Sequence, residues 1–525
     1  MSHRLAAGGR IDRARPLRFR FDGGSYEGCA GDTLASALLA NGVRLVGRSF
    51  KYHRPRGILS AGSEEPNALV ELRTDARREP NTRATVAELY DGLEAASQNR
   101  FPSLSFDLLS LTAPLTPFMK AGFYYKTFMW PASFWERLYE PLIRRAAGLG
   151  RAAGAEDPDH YEKAYAFCDV LVVGGGPAGL AAALAAGRAG ARVILCDEDF
   201  ELGGRLLSER RSIGGDGAGA WLAATLAELR SLPEVRLMPR TTVFGVYDHG
   251  TYGALQRVAD HLPEPPTHQP RQRMWRIVAR RAVLAAGAIE RPLVLGGNDR
   301  PGVMLAGSVR TYLNRFGVAP GRKAVVVTSG DDGWRSVADL AAAGIEVPAV
   351  VDLRPRAVCP PGVEAATRVF AGGRVEQVVG GRGVRAVAVA DAAGRRHRIA
   401  CDLVAMSNGW SPALHLTTHL GGRPLWSDEA AAFVPGPLPP GLAVAGAAAG
   451  RLTLAEALHD GAVLGRAAAS DCGFDGLAFA VPETDPEAVT CAPVWTRSGG
   501  KGKAFVDFQN DVTDGDVALA RQEGF

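Results

Sequence analysis

Cysteine is scarce in this sequence. Seven cysteines stand at positions 29, 168, 196, 359, 401, 472 and 491, and none forms a CxxC pair. That excludes a disulfide framework and argues against a zinc ribbon. Long apolar runs are also missing. None approaches the roughly 20 residues a helix needs to span a bilayer, and the longest, 180–186, is mostly alanine and meets Arg188. Arg4, Arg10, Arg13, Arg15, Arg18 and Arg20 have no apolar stretch behind them, so no secretory signal is expected. These absences together predict a soluble cytoplasmic protein. Sixty basic residues against 56 acidic ones leave only +4, spread along the chain, which argues against a dedicated nucleic-acid binder.

Catalytic signatures are few. There is no Gly-x-Ser-x-Gly elbow. His415 and His419 have the i, i+4 spacing of a zinc-protease helix, but Leu416 stands where the general-base Glu belongs. Cys359 and Cys401 have no adjacent histidine or basic pair to activate a thiolate. No acid–base pair in the chain reads as catalytic.

What is present is ordinary globular composition, 46% hydrophobic and 22% charged, with an excess of glycine at 63 of 525 residues. The glycines are not periodic, so they mark tight turns and close backbone approaches. Residues 16–21 alternate apolar and basic side chains, a strand signal, and Gly23-Gly24 supplies a hairpin turn. A helix is expected over 33–40, ending near Asn41-Gly42, and another strand over 68–72. Residues 91–165 carry scattered prolines and an aromatic cluster over 118–135. They read as a partly helical connector whose aromatics pack internally or meet a partner. Strands at 168–173, 192–196, 324–327, 347–351, 402–406 and 442–445 alternate with helical patterns, which argues for parallel sheets. Thr513 followed by Asp516 is a capping box that opens a last helix.

The strand at 168–173 leads into Gly174-Gly175-Gly176-Pro177-Ala178-Gly179 and then a helix. Gly174 permits the tight turn, Gly176 lets the backbone approach a pyrophosphate, and Gly179 lets helix and strand pack closely. The helix amino end offers free N–H groups to phosphate. Asp197 and Glu198 end the next strand, Asp197 lying 23 residues after Gly174. An acid at this spacing accepts hydrogen bonds from an adenosine ribose and repels a 2′-phosphate, which favours NAD or FAD over NADP.

Three later segments are similar to parts of flavoproteins with two dinucleotide-binding domains: Leu202-Gly203-Gly204, residues 285–292, and Val444-Ala445-Gly446-Ala447. Where those flavoproteins place an Asp that holds the FAD ribitol, this chain has Ala447, which favours NAD over FAD. A second α/β unit has Thr328-Ser-Gly-Asp-Asp-Gly333 in the glycine-turn position. Asp331 and Asp332 would repel a pyrophosphate, so this unit reads as a degenerate nucleotide fold.

Residues 289–305, 48–57 and 503–511 resemble motifs in the α subunits of heterotetrameric sarcosine oxidases, and the resemblance runs from about residue 16 onward. More distant relatives are the α subunits of opine oxidase, hydrogen cyanide synthase and dye-linked proline dehydrogenase. The resemblance implies an α/β, Rossmann-like fold with two dinucleotide-binding domains, preceded by a ferredoxin-like β-grasp domain. The division it implies is 1–90 for the β-grasp domain and 91–165 for the connector. Residues 166–321 and 390–475 make the NAD-binding domain, 322–389 the degenerate second domain, and 476–525 the start of a small helical module.

The activity implied is oxidative demethylation of sarcosine on an FAD-bearing β-type partner subunit, with FMN between the subunits and small accessory subunits in the hetero-oligomer. This chain would hold NAD through Ala178, Asp197, Glu198, Arg205, Val243, Ala447, Leu452 and Thr453. Arg205 replaces a small hydroxyl residue of the family. Relatives that carry an iron–sulfur cluster place cysteines in the loop that is 57–66 here. This loop has no cysteine, and the domain holds Cys29 alone, so a domain without a cluster is expected. Family α subunits continue into a folate-binding half. This sequence stops at Phe525, so a fragment or a split subunit is expected. Two other readings stay open: a stand-alone pyridine-nucleotide-linked flavoprotein reductase, and a non-catalytic nucleotide-binding scaffold.

Overall fold

The computed structural model describes residues 2–111, 130–146, 148, 150–357, 359, 368–476, 480–496 and 499–524. Residues 118–129 of the aromatic cluster lie outside the described residues. The chain divides into two compact units. One comprises Met1–Pro158, Pro292–Asn408 and Pro493–Phe525, the other Asp159–Arg291 and Gly409–Ala492.

The first unit opens with a five-stranded sheet in the order Gly24–Ala30, Asp12–Phe21, Leu93–Ser97, Leu69–Leu72, Glu79–Arg83. Its hairpin turns on Asp22 and Gly23, at φ 49° and 81°, so Gly24 pairs with Phe21 and the turn sits one residue earlier than expected. Two residues of positive φ match the twist of the flanking strands. The helix Leu34–Ala40 is capped by Thr33, whose hydroxyl accepts from the N–H of Ser36. Its buried Leu34 and Leu38 pack with Phe19, Phe21 and Leu93. Leu93–Ser97 pairs in parallel with Asp12–Phe21 and lies past the boundary expected near residue 90. The loop after residue 57 folds around Glu65. Its fully buried carboxylate accepts backbone N–H groups from Leu59, Ser60, Asn67 and Ala68 at 2.6–3.0 Å.

A second sheet in this unit is wholly parallel, ordered Val303–Leu305, Leu403–Ser407, Lys323–Thr328, Glu346–Asp352, Arg368–Ala371. Leu403–Ser407 is buried throughout and pairs with Lys323–Thr328, so part of 390–475 completes this sheet. The helix Asp331–Ala342 starts with the two acids of the degenerate turn in its first turn. There the helix dipole favours them, and Arg354 and Arg310 pair with Asp331 and Asp332 at 2.7 and 2.8 Å. Thr328 Oγ fills the turn itself, accepting from Gly330 N and donating to Gly330 O.

The motifs at 48–57 and 503–511 meet inside this unit. Arg54 Nε donates to Asp511 Oδ1 at 2.7 Å, and the Arg54 guanidinium lies 3.8 Å from the Phe505 ring centroid. Thr513 and Asp516 form the expected capping box of the helix Asp514–Glu523.

The second unit is built on a parallel sheet ordered Val235–Met238, Val193–Cys196, Tyr161–Val173, Gln272–Leu284, with Leu442–Val444 pairing beside residues 282–284. The strand expected at 168–173 begins at Tyr161. Its first half alternates exposed and buried residues, and its second half is buried on both faces. Thr241–Tyr247 and Thr251–Arg257 add an antiparallel meander to the outer half of Gln272–Leu284. The helices Pro177–Arg188 and Leu454–Ser470 cross closely, because a Cβ on Gly461 or Gly465 would sit 2.0 or 2.2 Å from the carbonyl of Ala178 or Ala182. No helix among the described residues is long and apolar enough to cross a membrane.

Candidate functional site

Parallel strands with a glycine turn carry ligands in the crevice beyond their carboxyl ends. Here those ends are Val173, Cys196, Leu284 and Val444, all in the second unit. Gly174 leaves its strand at φ 105°, with its N–H bonded to Cys196 O, and an added Cβ would lie 2.3 Å from Ala285 O. A Cβ on Gly179 would lie 1.8 Å from Gly174 O. Only glycine fits either position. Gly176 is the N-cap of Pro177–Arg188, Pro177 takes the first helical position, and no side chain caps that helix. Its amino end therefore keeps backbone N–H groups for an anion.

The Leu202-Gly203-Gly204 segment folds against this turn. Gly203 N donates to Gly175 O at 2.9 Å, and a Cβ on Gly204 would lie 2.8 Å from Gly176 Cα. Asp197 is half-buried beside the turn. Its carboxylate accepts from Gly175 N on one oxygen and from Asp199 N at 2.7 Å on the other. Burial lifts this carboxyl to about 7, and the two backbone donors pull against that rise. Glu198 is exposed, and its backbone carbonyl accepts from Arg257.

Ala178 packs at the helix crossing, 2.7 Å from where a Cβ on Gly446 would stand. Ala447 follows Gly446 in the short turn after Leu442–Val444 and is half-buried. Leu452 and Thr453 lead into the helix Leu454–Ser470, where Thr453 is the N-cap and bonds Glu456. Arg205 ties two of the expected residues together, since its Nη1 donates to Leu452 O at 2.8 Å. Its other donors engage Glu209 and Glu487. Val243 sits in the core with Ile194 and Cys196, two residues along the strand from Thr241, whose N–H bonds Asp197 O.

Two acids were missed by sequence reading. Glu487 is 1% exposed at its side chain and accepts from Arg205, Arg211 and the N–H of Leu454. Asp460 accepts from Gly446 N at 3.0 Å. Asp460 lies inside an amphipathic helix and Glu487 in a proline-rich tail, so neither has a local pattern that marks it. Burial pushes the Cys196 thiol far up and Cys168 to about 12, so neither is a nucleophile. His419 Nδ1 lies 3.3 Å from the N–H of Val246, an ordinary packing role. Among the described residues, no cluster of three or more His, Cys, Asp or Glu is placed to hold a metal ion.

Over 529 residues the chain is 54% identical to the sarcosine oxidase subunit alpha of Rhizobium meliloti (strain 1021), covering 100% of this chain and 53% of that protein. The α subunit of Corynebacterium sp. (strain P-1) is 39% identical over 546 residues, covering 100% of this chain and 52% of that protein. The chain thus spans about half the length of the α subunits it matches. Residues 169–216, which hold the glycine turn and Asp197, match the family described as FAD dependent oxidoreductase. The crystal structure of L-proline dehydrogenase from P. horikoshii has the same fold, with TM-score 0.67 and 19% identity, over 100% of this chain and 88% of that one.

These α-subunit relatives come with a correction on cofactors. Residues 14–100 match the family described as a 2Fe-2S iron-sulfur cluster binding domain, which overturns the expectation of a domain without a cluster. A cysteine-poor loop misled that reading, because the sheet and helix that define the domain family are specified by other residues. A cluster takes four thiolates, and residues 14–100 hold buried Cys29 alone, so the residues present do not supply that ligand set. The match at 169–216 likewise supports FAD where NAD was expected.

Proposed function

We propose that this chain is the dinucleotide-binding α-type subunit, or the corresponding part of one, in a multi-subunit sarcosine oxidase-like flavoenzyme. The assembled enzyme converts sarcosine, oxygen and water into glycine, formaldehyde and hydrogen peroxide. The N-methyl amine is oxidised on an FAD-bearing partner subunit, FMN serves at the boundary between subunits, and this chain binds an adenine dinucleotide. The enzyme works in the cytoplasm, where its few cysteines stay reduced.

One observation carries the reading. In a chain 54% identical to a sarcosine oxidase subunit alpha, the glycine turn, the uncapped helix and Asp197 stand together at the carboxyl ends of adjacent parallel strands. Gly174, Gly176 and Gly179 leave room for the diphosphate. The N–H groups at Ala178 face it, and Asp197, flanked by Glu198, takes the adenosine ribose. Val243, Ala447, Leu452 and Thr453 line the remainder, and Arg205 fixes Leu452 in place. The family match at 169–216 supports FAD in this site. Ala447 offers no side-chain acceptor for a ribitol, which favours NAD as a second reading.

The test is to co-express the chain with a candidate FAD subunit and assay sarcosine-dependent peroxide and formaldehyde. Equal amounts of both products, formed only by the assembly, are expected. A chain that is yellow by itself and oxidises NADH without a partner contradicts the proposal.

A further inference from the structure

The meander of the second unit has an unusual outer face. Gln272–Leu284 pairs with Tyr161–Val173 on one side and Thr251–Arg257 on the other, setting Tyr165 beside Arg276, and Leu255 beside Met274. Alternation sends residues 161, 163, 165 and 167 of one strand to the same face as 272, 274, 276 and 278 and 251, 253, 255 and 257 of its neighbours. The opposite face is core, with Ala166, Tyr252, Ala254, Trp275 and Ile277 buried. A sheet with one packed face ordinarily shows polar side chains on the other. This one shows Tyr161, Tyr165, Phe167 and Met274, and Phe244 and Tyr247 from the next strand join them, all 42–66% exposed. Gly245 and Gly253 make the room, since an added Cβ would meet the Tyr247 or Phe244 ring within 2.8 Å.

The charges on this face have one sign. Lys163, Arg257 and Arg276 are its cationic side chains and none of the twelve alternate positions is a carboxylate, while Asp260 accepts from Gln272 at the edge at 2.8 Å. Arg276 lies over the Tyr165 ring, 5.6 Å from its centroid. Glu162, next in sequence to the face, points the other way and pairs with Arg273 at 2.7 Å. At one end the face runs into a cavity of about 670 Å³ lined by Phe167, His249, Val278 and Leu442, wide enough for an inserted side chain.

From this we infer that the face is the docking surface for another subunit of the enzyme, one that presents an apolar centre rimmed by carboxylates. Aromatic anchors with arginine are what interface cores are made of, and exposed apolar patches of this kind mark interaction sites. A second copy of this chain is the wrong occupant. A two-fold dimer sets the same patch against itself, which would bring Lys163 and Arg276 against their own copies, with no carboxylate among the twelve positions to offset them. An acidic partner gains from the same charges. The inference rests on the reading above that the chain works in a hetero-oligomer.

The test uses the full chain co-expressed with the FAD-bearing subunit. Assembly is read by light scattering, and dinucleotide content by mass spectrometry. One variant combines Tyr165→Thr with Phe167→Thr, which suits an exposed strand. A second, Arg276→Glu, reverses a charge and leaves the aromatics intact. At least a tenfold loss of assembly is expected in both, with dinucleotide content and melting temperature unchanged. Unchanged assembly in both variants overturns the inference. So does a wild-type chain that binds no subunit but binds anionic phospholipid vesicles through these residues. If assembly depends on the face while no dinucleotide beyond the partner's FAD is found, the docking surface stands and the nucleotide reading falls.

Discussion

Gly175 donates its backbone N–H to the carboxylate of Asp197, joining the glycine turn to the acid that ends the next strand. The second oxygen of Asp197 is held by Asp199 N at 2.7 Å. Each carboxylate oxygen has two lone pairs, so both retain capacity for ribose hydroxyls. The acid therefore shapes the phosphate turn and also stands ready to recognise the nucleoside.

This double duty gives a pH prediction with two signs. Burial raises Asp197 to about 7 from an ordinary value of 3.8. The folded chain then binds that proton more tightly than the unfolded chain. Its contribution to stability without dinucleotide is present below about pH 4 and is lost as pH rises through about 7. Dinucleotide binding runs the other way, because hydroxyl donors favour the ionised acid. Urea unfolding of the empty protein at about pH 5 and about pH 8 is expected to show wild type losing ground to Asp197→Asn as pH rises. Dinucleotide retention by wild type is expected to improve over the same range, while that of Asp197→Asn stays flat and at least about tenfold weaker, as one lost charged hydrogen bond implies.

The helix crossing behind the site makes a packing prediction. Gly461→Ala would set a Cβ 2.0 Å from Ala178 O, against backbone that cannot give way. A loss of about 1–3 kcal/mol is expected, with weaker dinucleotide retention, since Ala178 belongs to the phosphate helix. Gly219→Ala, in the helix Ala218–Ser231 with nothing within 4 Å of the added atom, serves as the control. It should be neutral or stabilising by up to about 1 kcal/mol. Thermal unfolding distinguishes the two.

Much of this was legible in the sequence, for a physical reason. Strand, glycine turn, helix, strand and acid are local, and each follows from residue type and spacing: Val170 to Val173, Gly174 to Gly179, and Asp197. The capping box at Thr513 belongs to the same local class, while the one at Thr33 went unread because Ser36 is an unusual partner. Long-range pairing was not legible. Nothing near Leu403 says that its strand joins Lys323–Thr328, and nothing near Leu93 says that it enters the first sheet beside Phe19. The donors of Arg205 could not be assigned either, because Glu487 lies 282 residues away. The ferredoxin-like kinship of residues 14–100 was legible, with Phe19, Phe21, Leu34, Leu38 and Leu93 in its core, and what the family match overturns is the absence of a cluster expected from cysteine content.

A third prediction concerns the two motifs that meet within the first unit. Asp511 is fully buried and takes Arg54, Arg56 and the N–H of Lys51. Burial alone would raise its pKa, but the two arginines outweigh that and hold it below the ordinary carboxylate range. Its stabilising contribution is thus present above about pH 4 and lost as pH falls through its lowered value. Asp511→Asn removes the carboxylate that buried Arg56 faces and leaves Arg54 with Asp299, and it should cost about 3–5 kcal/mol. In urea titrations, wild type should lose this advantage over the variant as pH drops below about 4.

Glu65 supports a fourth. Four backbone N–H groups converge on its carboxylate. Glu65→Gln would turn an amide N–H toward two of these donors, and a loss of about 1–3 kcal/mol is expected. Hydrogen exchange should rise at Leu59, Ser60, Asn67 and Ala68 before it rises in the strand Asp12–Phe21.

The account stands on the crevice beyond Val173, Cys196 and Leu284. Its most direct test is to purify the protein with its partner subunits, denature it, and identify and count the released nucleotide by mass spectrometry. One adenine dinucleotide per chain is expected beyond the FAD that the partner subunit brings, and Asp197→Ala should lose it. A fully folded preparation that releases none beyond the partner's FAD, or an Asp197→Ala preparation that releases as much as wild type, would contradict the dinucleotide site.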